Sequence, residues 1–186
     1  MNSREQILSD IRILKIDNSE LPAIPQFEYE ADIIESFKTS ITTNKGEIIS
    51  EEALMDLLES GEFVNVYSAS ESYSKHSNFG LPEDPHELKN LDLAIIEGDF
   101  GVGENGAIWL DDSKLGHRVL PFITEHLVIV VDKTTLVPNM HEAYKRIGQA
   151  HSGFGVFIAG PSKTADIEQS LVIGAHGAKS LRVLLV

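Results

Sequence analysis

The C-terminal stretch of the chain constrains the fold most, because it contains two apolar runs without polar alternation. The first run spans 156–159 (VFIA), and the second spans 181–186 (LRVLLV), in which Arg182 is the single polar residue. Such runs are typical of strands that are buried on both faces, as in a parallel sheet. The roughly 20 residues between them are enough for the crossover helix that joins two parallel strands. We therefore predict a strand–loop–helix–strand unit here.

The crossover helix is predicted from a short apolar stripe. Ile167, Leu171 and Val172 recur at helical spacing and would face the sheet. Ser162 or Thr164 can cap the first turn through its side-chain oxygen. The preceding loop therefore leaves the carboxyl end of a strand and opens a helix, which is where open α/β sheets bind ligands.

This loop supplies the first group of candidate ligand-binding residues. They are Gly160, Ser162, Lys163 and Thr164. Free backbone N–H groups at the start of a helix bind anions, and these side chains would assist. Asp166 and Glu168 follow in the first turn. Both disfavour a bare phosphate and suit hydroxyl groups, a bound cation or simple capping, so they also belong to the predicted ligand-binding set.

The rest of the chain alternates helical and extended patterns. Helices are predicted at 3–15, 28–44, 50–60 and 139–148, and strands at 47–50, 63–67, 91–97, 107–110 and 127–131. This alternation is typical of an α/β domain. We expect an N-terminal helix and linker over 1–27 and one α/β domain over 28–186. The amphipathic first helix would pack on the domain edge or dock on a partner. The polar 68–90 loop is functional or mobile, and its role stays open.

Composition excludes several classes of partner. The 186 residues carry a formal net charge of −14, which argues against nucleic acid or an anionic membrane surface. The chain contains no cysteine, so it can form neither a disulfide nor a cysteine-ligated cluster. It shows no signal-peptide pattern and no apolar run long enough to cross a membrane. We therefore expect a cytoplasmic protein.

A glycine-rich turn at 98–106 holds the candidate catalytic residue, Glu104. Gly103 precedes it and Asn105 and Gly106 follow it, and these three are candidate ligand-binding residues. Partial burial would raise the pKa of the Glu104 carboxyl or let it act as a nucleophile. The alternative is an exposed turn carboxylate. Gly101, Gly103 and Gly106 fit a loose GxGxxG, but a strand pattern follows instead of the helix that a dinucleotide site requires.

The sequence favours neither a metal centre nor a serine hydrolase. None of the seven histidines has the HxxxH or HExxH spacing of a metal site on one helix, and no GxSxG nucleophile motif is present. We expect His126 at the amino end of a strand, away from the usual ligand site.

Several of these motifs resemble one family. The run GPSKTADIE at 160–168, with Gly174, His176 and Gly177, is similar to the lactate-utilisation protein C family, also called the LUD domain. The segments ENGAI at 104–108 and LPFITEHLVIV at 120–130 add to this resemblance, which covers nearly the whole chain. The sequence departs from the family at Asn105, at Ala107 and in the 68–90 loop.

The resemblance implies a fold and a pathway. The fold would be a Rossmann-like α/β sandwich of the sugar-phosphate isomerase and CoA-transferase type, with a mostly parallel sheet flanked by helices. The role would be in oxidising L-lactate to pyruvate, together with partner subunits that carry the iron–sulfur clusters. This chain itself would bind no cofactor, in keeping with its lack of cysteine.

Three functions follow from these observations. The first is a non-redox component of lactate utilisation that binds a small anionic ligand or the iron–sulfur subunits. The second is a stand-alone enzyme acting through Glu104 on an acyl, CoA or sugar-phosphate substrate, since CoA-transferases of this superfamily carry a catalytic glutamate in a Glu-Asn-Gly segment. The third is a regulatory or assembly module. The oligomeric state is left open, a homo-oligomer included.

Overall fold

The computed structural model of the protein describes residues 2–14, 20, 22–23, 25, 32–148, 153–165, 171–174 and 176–186. Within these residues the helices are α1 (Ser3–Ile13), α2 (Ile33–Thr43), α3 (Glu51–Glu59), α4 (Leu120–Ile123) and α5 (Met140–Ile147). The strands are β1 (Glu47–Ile49), β2 (Val66–Ser68), β3 (Leu93–Glu97), β4 (Phe100–Gly101), β5 (Ile108–Asp111), β6 (His126–Val131), β7 (Gly155–Ile158), β8 (Lys163–Ala165), β9 (Leu171–Ile173) and β10 (Ser180–Leu185).

A five-stranded parallel sheet forms the centre of the protein, in the order β1-β10-β6-β3-β2. Strand β6 lies in the middle, and every residue in it except His126 is buried. Its apolar run without alternation fits this position, because both faces of the strand are covered. The predicted strands at 127–131 and 181–186 are therefore confirmed, as is an α/β fold with a mostly parallel sheet flanked by helices.

Alternate residues of the central strands supply two separate cores. In β3, Ala94 and Ile96 pack into the cluster that includes Phe37 of α2. Leu93 and Ile95 point the other way, into the cluster that contains Leu54 of α3. This is the two-residue period of a strand applied to a sheet with a helix on each face. The layers follow from it: α2 on one side, the sheet in the middle and α3 on the other side.

The run at 156–159 is extended, but it does not join the central sheet. Strand β7 pairs antiparallel with β5, which pairs antiparallel with β4 in a separate three-stranded sheet. All four residues of β7 are half-buried. The prediction of a parallel strand buried on both faces was wrong here, because a short apolar run does not reveal which sheet its strand joins.

The predicted crossover helix after Ser162 is also wrong in the described residues. Strands β8 and β9 form an antiparallel hairpin, in which Thr164 faces Val172. The β-branched side chains of Thr164, Val172 and Ile173 favour extended backbone, and a spacing of a few apolar residues fits either period. No helix therefore opens at Ser162 or Thr164 to bind an anion, and Ile167 lies outside the described residues.

Helix boundaries shift where a better cap is available. Helix α1 begins after Asn2, whose side chain accepts from the Glu5 N–H in a capping box. Helix α2 begins at Ile33 because the Asp32 carboxylate accepts from two backbone N–H groups. The predicted packing of α1 on the domain edge is not seen, since α1 contains no buried residue.

The segment predicted as a polar loop contains helical turns. Residues 68–90 fold into two 3₁₀ helices, Glu71–His76 and Pro85–Asn90, in which Tyr73 and Leu88 are buried.

His126 opens strand β6 at the amino edge of the central sheet, as expected from the sequence. Its Nδ1 lies 2.7 Å from the Ser180 hydroxyl, and its ring packs 5.0 Å from that of Phe63. Burial and then the positive charge of Arg182 lower the pKa of His126 below its usual value.

This pKa shift predicts a loss of stability in acid. The unfolded chain takes up a proton near pH 6.5, while folded His126 stays neutral to a lower pH, so the free energy of unfolding falls below about pH 6.5. We expect His126→Gln to flatten that fall, as measured by urea denaturation at pH 8, 6.5 and 5. At pH 8 the histidine is neutral in both states, so the difference there reports lost packing only. Equal pH dependence in the two proteins would contradict the prediction.

Candidate functional site

The parallel strands end at one edge of the central sheet and open into a cavity of ≈ 460 Å³, which we call the carboxyl-edge cleft. Parallel strands place the residues that follow their carboxyl ends side by side, which is why α/β sheets bind ligands there. Its polar lining residues are Glu51, Ser70, Ser72, Tyr73, Glu97, Asp99, Lys114, Asp132 and Thr135.

One wall of the carboxyl-edge cleft is a hydroxyl–carboxylate network. Ser70 is 1 % exposed, and its hydroxyl donates to Oε1 of Glu97, the last residue of β3, at 2.7 Å. Across this wall, the Tyr73 hydroxyl donates to Oε1 of Glu51 at 3.4 Å. Burial, and next the charge of Glu51, raise the pKa of Tyr73, which keeps its hydroxyl protonated and able to donate.

The other wall carries the one cation among the described residues that line the cleft. Lys114 Nζ lies 2.5 Å from Oδ1 of Asp99, whose Oδ2 accepts from the Asp111 N–H at 3.1 Å. Asp132 follows β6 and caps the next turn. Hydrogen bonds from the Thr134 side chain and backbone lower the pKa of the Asp132 carboxyl. The cleft thus combines a lysine with several hydrogen-bond acceptors.

A second cavity of ≈ 550 Å³ adjoins the first, and we call it the aromatic cleft. The two cavities share Asp99, Lys114 and Thr135 as lining residues. Trp109 and Arg146 line the aromatic cleft but not the carboxyl-edge cleft. Together the clefts form a groove that is acidic at the strand ends and is lined at its far end by aromatic rings, the Arg146 guanidinium and the Asp111 carboxylate.

The predicted Glu104 turn lies elsewhere, against helix α2. The Ser36 and Ser40 hydroxyls donate to the Gly103 carbonyl at 3.2 Å and 2.9 Å. A Cβ on Gly106, whose φ is +69°, would lie 2.9 Å from the Ile41 nitrogen, so this turn can approach the helix only with glycine there.

Glu104 itself is exposed and has a structural partner. Its Oε1 accepts from the Met140 N–H at 2.9 Å, at the start of α5. The N–H groups at a helix start lack partners within the helix, so this carboxylate helps to cap α5. The geometry matches the alternative of an exposed turn carboxylate, and a catalytic role for Glu104 stays a prediction.

Asn44 contacts both the Glu104 turn and the Gly160 loop. Its Nδ2 donates to the Asn105 carbonyl at 2.7 Å, and its own carbonyl oxygen packs so closely on Gly160 that a Cβ there would collide with it. The pairing of Ile108 with Ile158 also sets both segments at the same end of the small sheet. The Glu104 turn and the Gly160 loop therefore lie next to each other in the structure.

The remaining predicted ligand-binding residues follow this loop into the hairpin. The Ser162 N–H donates to the Ala178 carbonyl at 2.9 Å. Lys163 is exposed and Thr164 is half-buried, while Asp166 and Glu168 lie outside the described residues. Of the residues predicted for the site, those that the structure describes line neither the carboxyl-edge cleft nor the aromatic cleft.

Comparison with known proteins identifies the family. The sequence matches the LUD domain over residues 31–186, most of the chain. The chain belongs to the LUD domain family. This confirms the resemblance drawn from the 160–168 and 104–108 segments.

Relatives of this LUD domain include proteins named for lactate utilisation. Lactate utilization protein C 1 of Bacillus mycoides is 36% identical over 101 residues, which cover 51% of this chain and 43% of that protein. Lactate utilization protein C of Oceanobacillus iheyensis is 31% identical over 105 residues, covering 53% and 45% respectively. The matched part of the chain thus spans less than half the length of these relatives.

A solved structure shares the fold. The crystal structure of a DUF162 family protein from Deinococcus radiodurans superposes with a TM-score of 0.61 at 18% identity, covering 83% of this chain and 96% of that one. In the described residues of the LUD domain and the segment before it, no helix is long and apolar enough to span a membrane, and no cluster of three or more metal-ligating side chains occurs.

Sequence reasoning missed the residues that line the carboxyl-edge cleft, although a signal for them was present. Glu97 closes the apolar run of β3, and Asp132 directly follows that of β6. Polar residues at the carboxyl ends of buried strands mark a ligand site in α/β folds. Lys114 carried no such signal, because it reaches the cleft from a 3₁₀ turn after β5.

The capping role of Glu104 predicts a measurable change in stability. Glu104→Ala removes an acceptor from the start of α5 and should lower the free energy of unfolding by about 1 kcal/mol. Glu104→Gln keeps an acceptor oxygen and should lower it less. Urea denaturation of both variants measures this, and Asn139→Ala, which removes the other side-chain acceptor at this helix end, gives the comparison. An unchanged midpoint for Glu104→Ala would contradict the role.

Proposed function

We propose that this LUD domain serves lactate utilisation as a non-redox component that binds a small anionic ligand, an α-hydroxy acid such as L-lactate, in the carboxyl-edge cleft. The observation that carries the proposal is the juxtaposition of Lys114 with Glu97 and Ser70 in one cavity at the strand ends. The names of the relatives, lactate utilization protein C, support the pathway.

The chemistry of an α-hydroxy acid fits this lining. Its carboxylate needs a cation, and the Lys114 ammonium has three N–H donors, of which Asp99 takes one. Its hydroxyl needs an acceptor, and the Glu97 carboxylate accepts from Ser70 through Oε1 and has further lone pairs. A site that hydrogen-bonds a hydroxyl rejects analogues without one, so lactate should bind more tightly than pyruvate.

The partner proposal concerns the electrons that lactate oxidation releases. The chain contains no cysteine, so a cysteine-ligated iron–sulfur cluster that accepts them would lie on another subunit. We propose that the chain associates with iron–sulfur subunits in the cytoplasm and binds no cofactor itself. This interaction would bring the bound acid close to the redox centre.

Calorimetry tests the ligand. We expect L-lactate to bind the purified chain, and Lys114→Ala to weaken binding at least tenfold because the carboxylate loses its cation. Lys179→Ala is the matched control, since that lysine forms an exposed ion pair with Glu125 at the opposite edge of the sheet. Absence of lactate binding by the wild-type chain, or equal affinity in the two variants, would rule out this site.

Affinity purification tests the partner. A tagged copy of the chain, expressed in its host during growth on L-lactate, should co-purify with proteins that carry iron and acid-labile sulfide. The control is the same strain grown on a carbon source that does not require lactate oxidation. Recovery of the chain alone from lactate-grown cells would contradict the proposed assembly.

A further inference from the structure

The aromatic cleft lies beyond the proposed lactate site and has different chemistry. Strand pairing sets Phe100, Trp109 and Phe157 in one row across the small sheet. The ring of Phe157 packs 4.8 Å from that of Trp109 and 6.2 Å from that of Phe100. Of these rings, those of Phe100 and Trp109 line the cleft, so its floor is aromatic and held rigid by packing.

A guanidinium lies beside this floor. Arg146 is centred 4.9 Å from the Phe100 ring and donates through Nη1 to the Thr135 carbonyl at 2.8 Å. Neither partner carries a negative charge, and Arg146 forms no ion pair among the described residues. In a chain of net charge −14, a cation left without a carboxylate is suited to an external anion, which guanidinium groups bind with charge-assisted hydrogen bonds.

The cleft also offers polar groups and room. Asp99, Asp111 and Ser113 line it, and carboxylates and a hydroxyl can all bond to sugar hydroxyls. Its volume of ≈ 550 Å³ lies within the range of small-molecule and cofactor sites, which is about 300–1,000 Å³. The aromatic floor, a guanidinium that forms no ion pair among the described residues, and the hydroxyl-binding groups together match a planar base, a phosphate and a ribose.

We infer that the aromatic cleft binds a nucleoside phosphate, with the phosphate on Arg146 and the base against Trp109. Stacking on an aromatic side chain tolerates any base, so selectivity for the base is weak and the phosphate contributes most of the specificity. The site is separate from the lactate site and adjoins it at Lys114 and Asp99. Ligands bound in the two clefts would therefore meet at the Lys114–Asp99 ion pair.

The single tryptophan of the chain makes the test direct, because Trp109 is the only one in the sequence. Titration with AMP should change the intrinsic fluorescence in a saturable manner, and calorimetry should give the same dissociation constant. Adenosine, which lacks the phosphate, and inorganic phosphate, which lacks the base and the ribose, should each bind at least tenfold more weakly. Arg146→Gln should weaken AMP binding at least tenfold.

Lys145→Gln is the matched control, since Lys145 adjoins Arg146 on α5 and pairs with Glu142. It should bind AMP like the wild type, and circular dichroism should show that both variants are folded. Absence of AMP binding, equal affinity in the two variants, or phosphate binding as tightly as AMP would overturn the inference. Glu97→Gln separates the two sites: it should weaken lactate binding and leave AMP binding unchanged.

Discussion

The burial of β6 on both faces is the constraint on which the rest of the structure depends. This strand pairs with β10 on one side and with β3 on the other, and its alternate residues pack into the core beneath α2 and into the core beneath α3. A strand enclosed in this way must have apolar residues at successive positions and parallel neighbours joined by crossovers. The strand ends then meet at one edge, where ligand-binding groups can gather without disturbing either core.

Helix α2 connects this core to the segments most characteristic of the sequence. Its serine hydroxyls hold the Gly103 carbonyl, and its C-terminal Asn44 contacts both Asn105 and Gly160. Glycine is required at Gly106 and Gly160, because a Cβ at either position would collide with the backbone of the helix or its cap. The residues that identify the family thus have a structural reason to occur where they do. The polar side chains that line cavities lie instead in the carboxyl-edge cleft and the aromatic cleft.

The parts of the fold that could be predicted are those governed by local periodicity. The uninterrupted apolar runs of β6 and β10 indicated buried parallel strands. The C-terminal hairpin could not be predicted in this way. Leu171 and Val172 fit a helical stripe, and the choice of β8 and β9 depends on the pairing of Thr164 with Val172. The sequence also did not reveal which sheet β7 joins, because the same short apolar run fits a strand of either sheet.

By itself, the sequence determined the α/β class, the central strands and the family. Each of these depends on residue type and spacing along the chain. Only the tertiary structure decided which polar groups share a cavity. Ser70 follows β2 and Glu97 ends β3, so the parallel sheet brings both to one edge, whereas Lys114 reaches the same cavity from the 3₁₀ turn after β5. Glu104, which stood out in the sequence, instead caps a helix whose start is adjacent only in the folded chain.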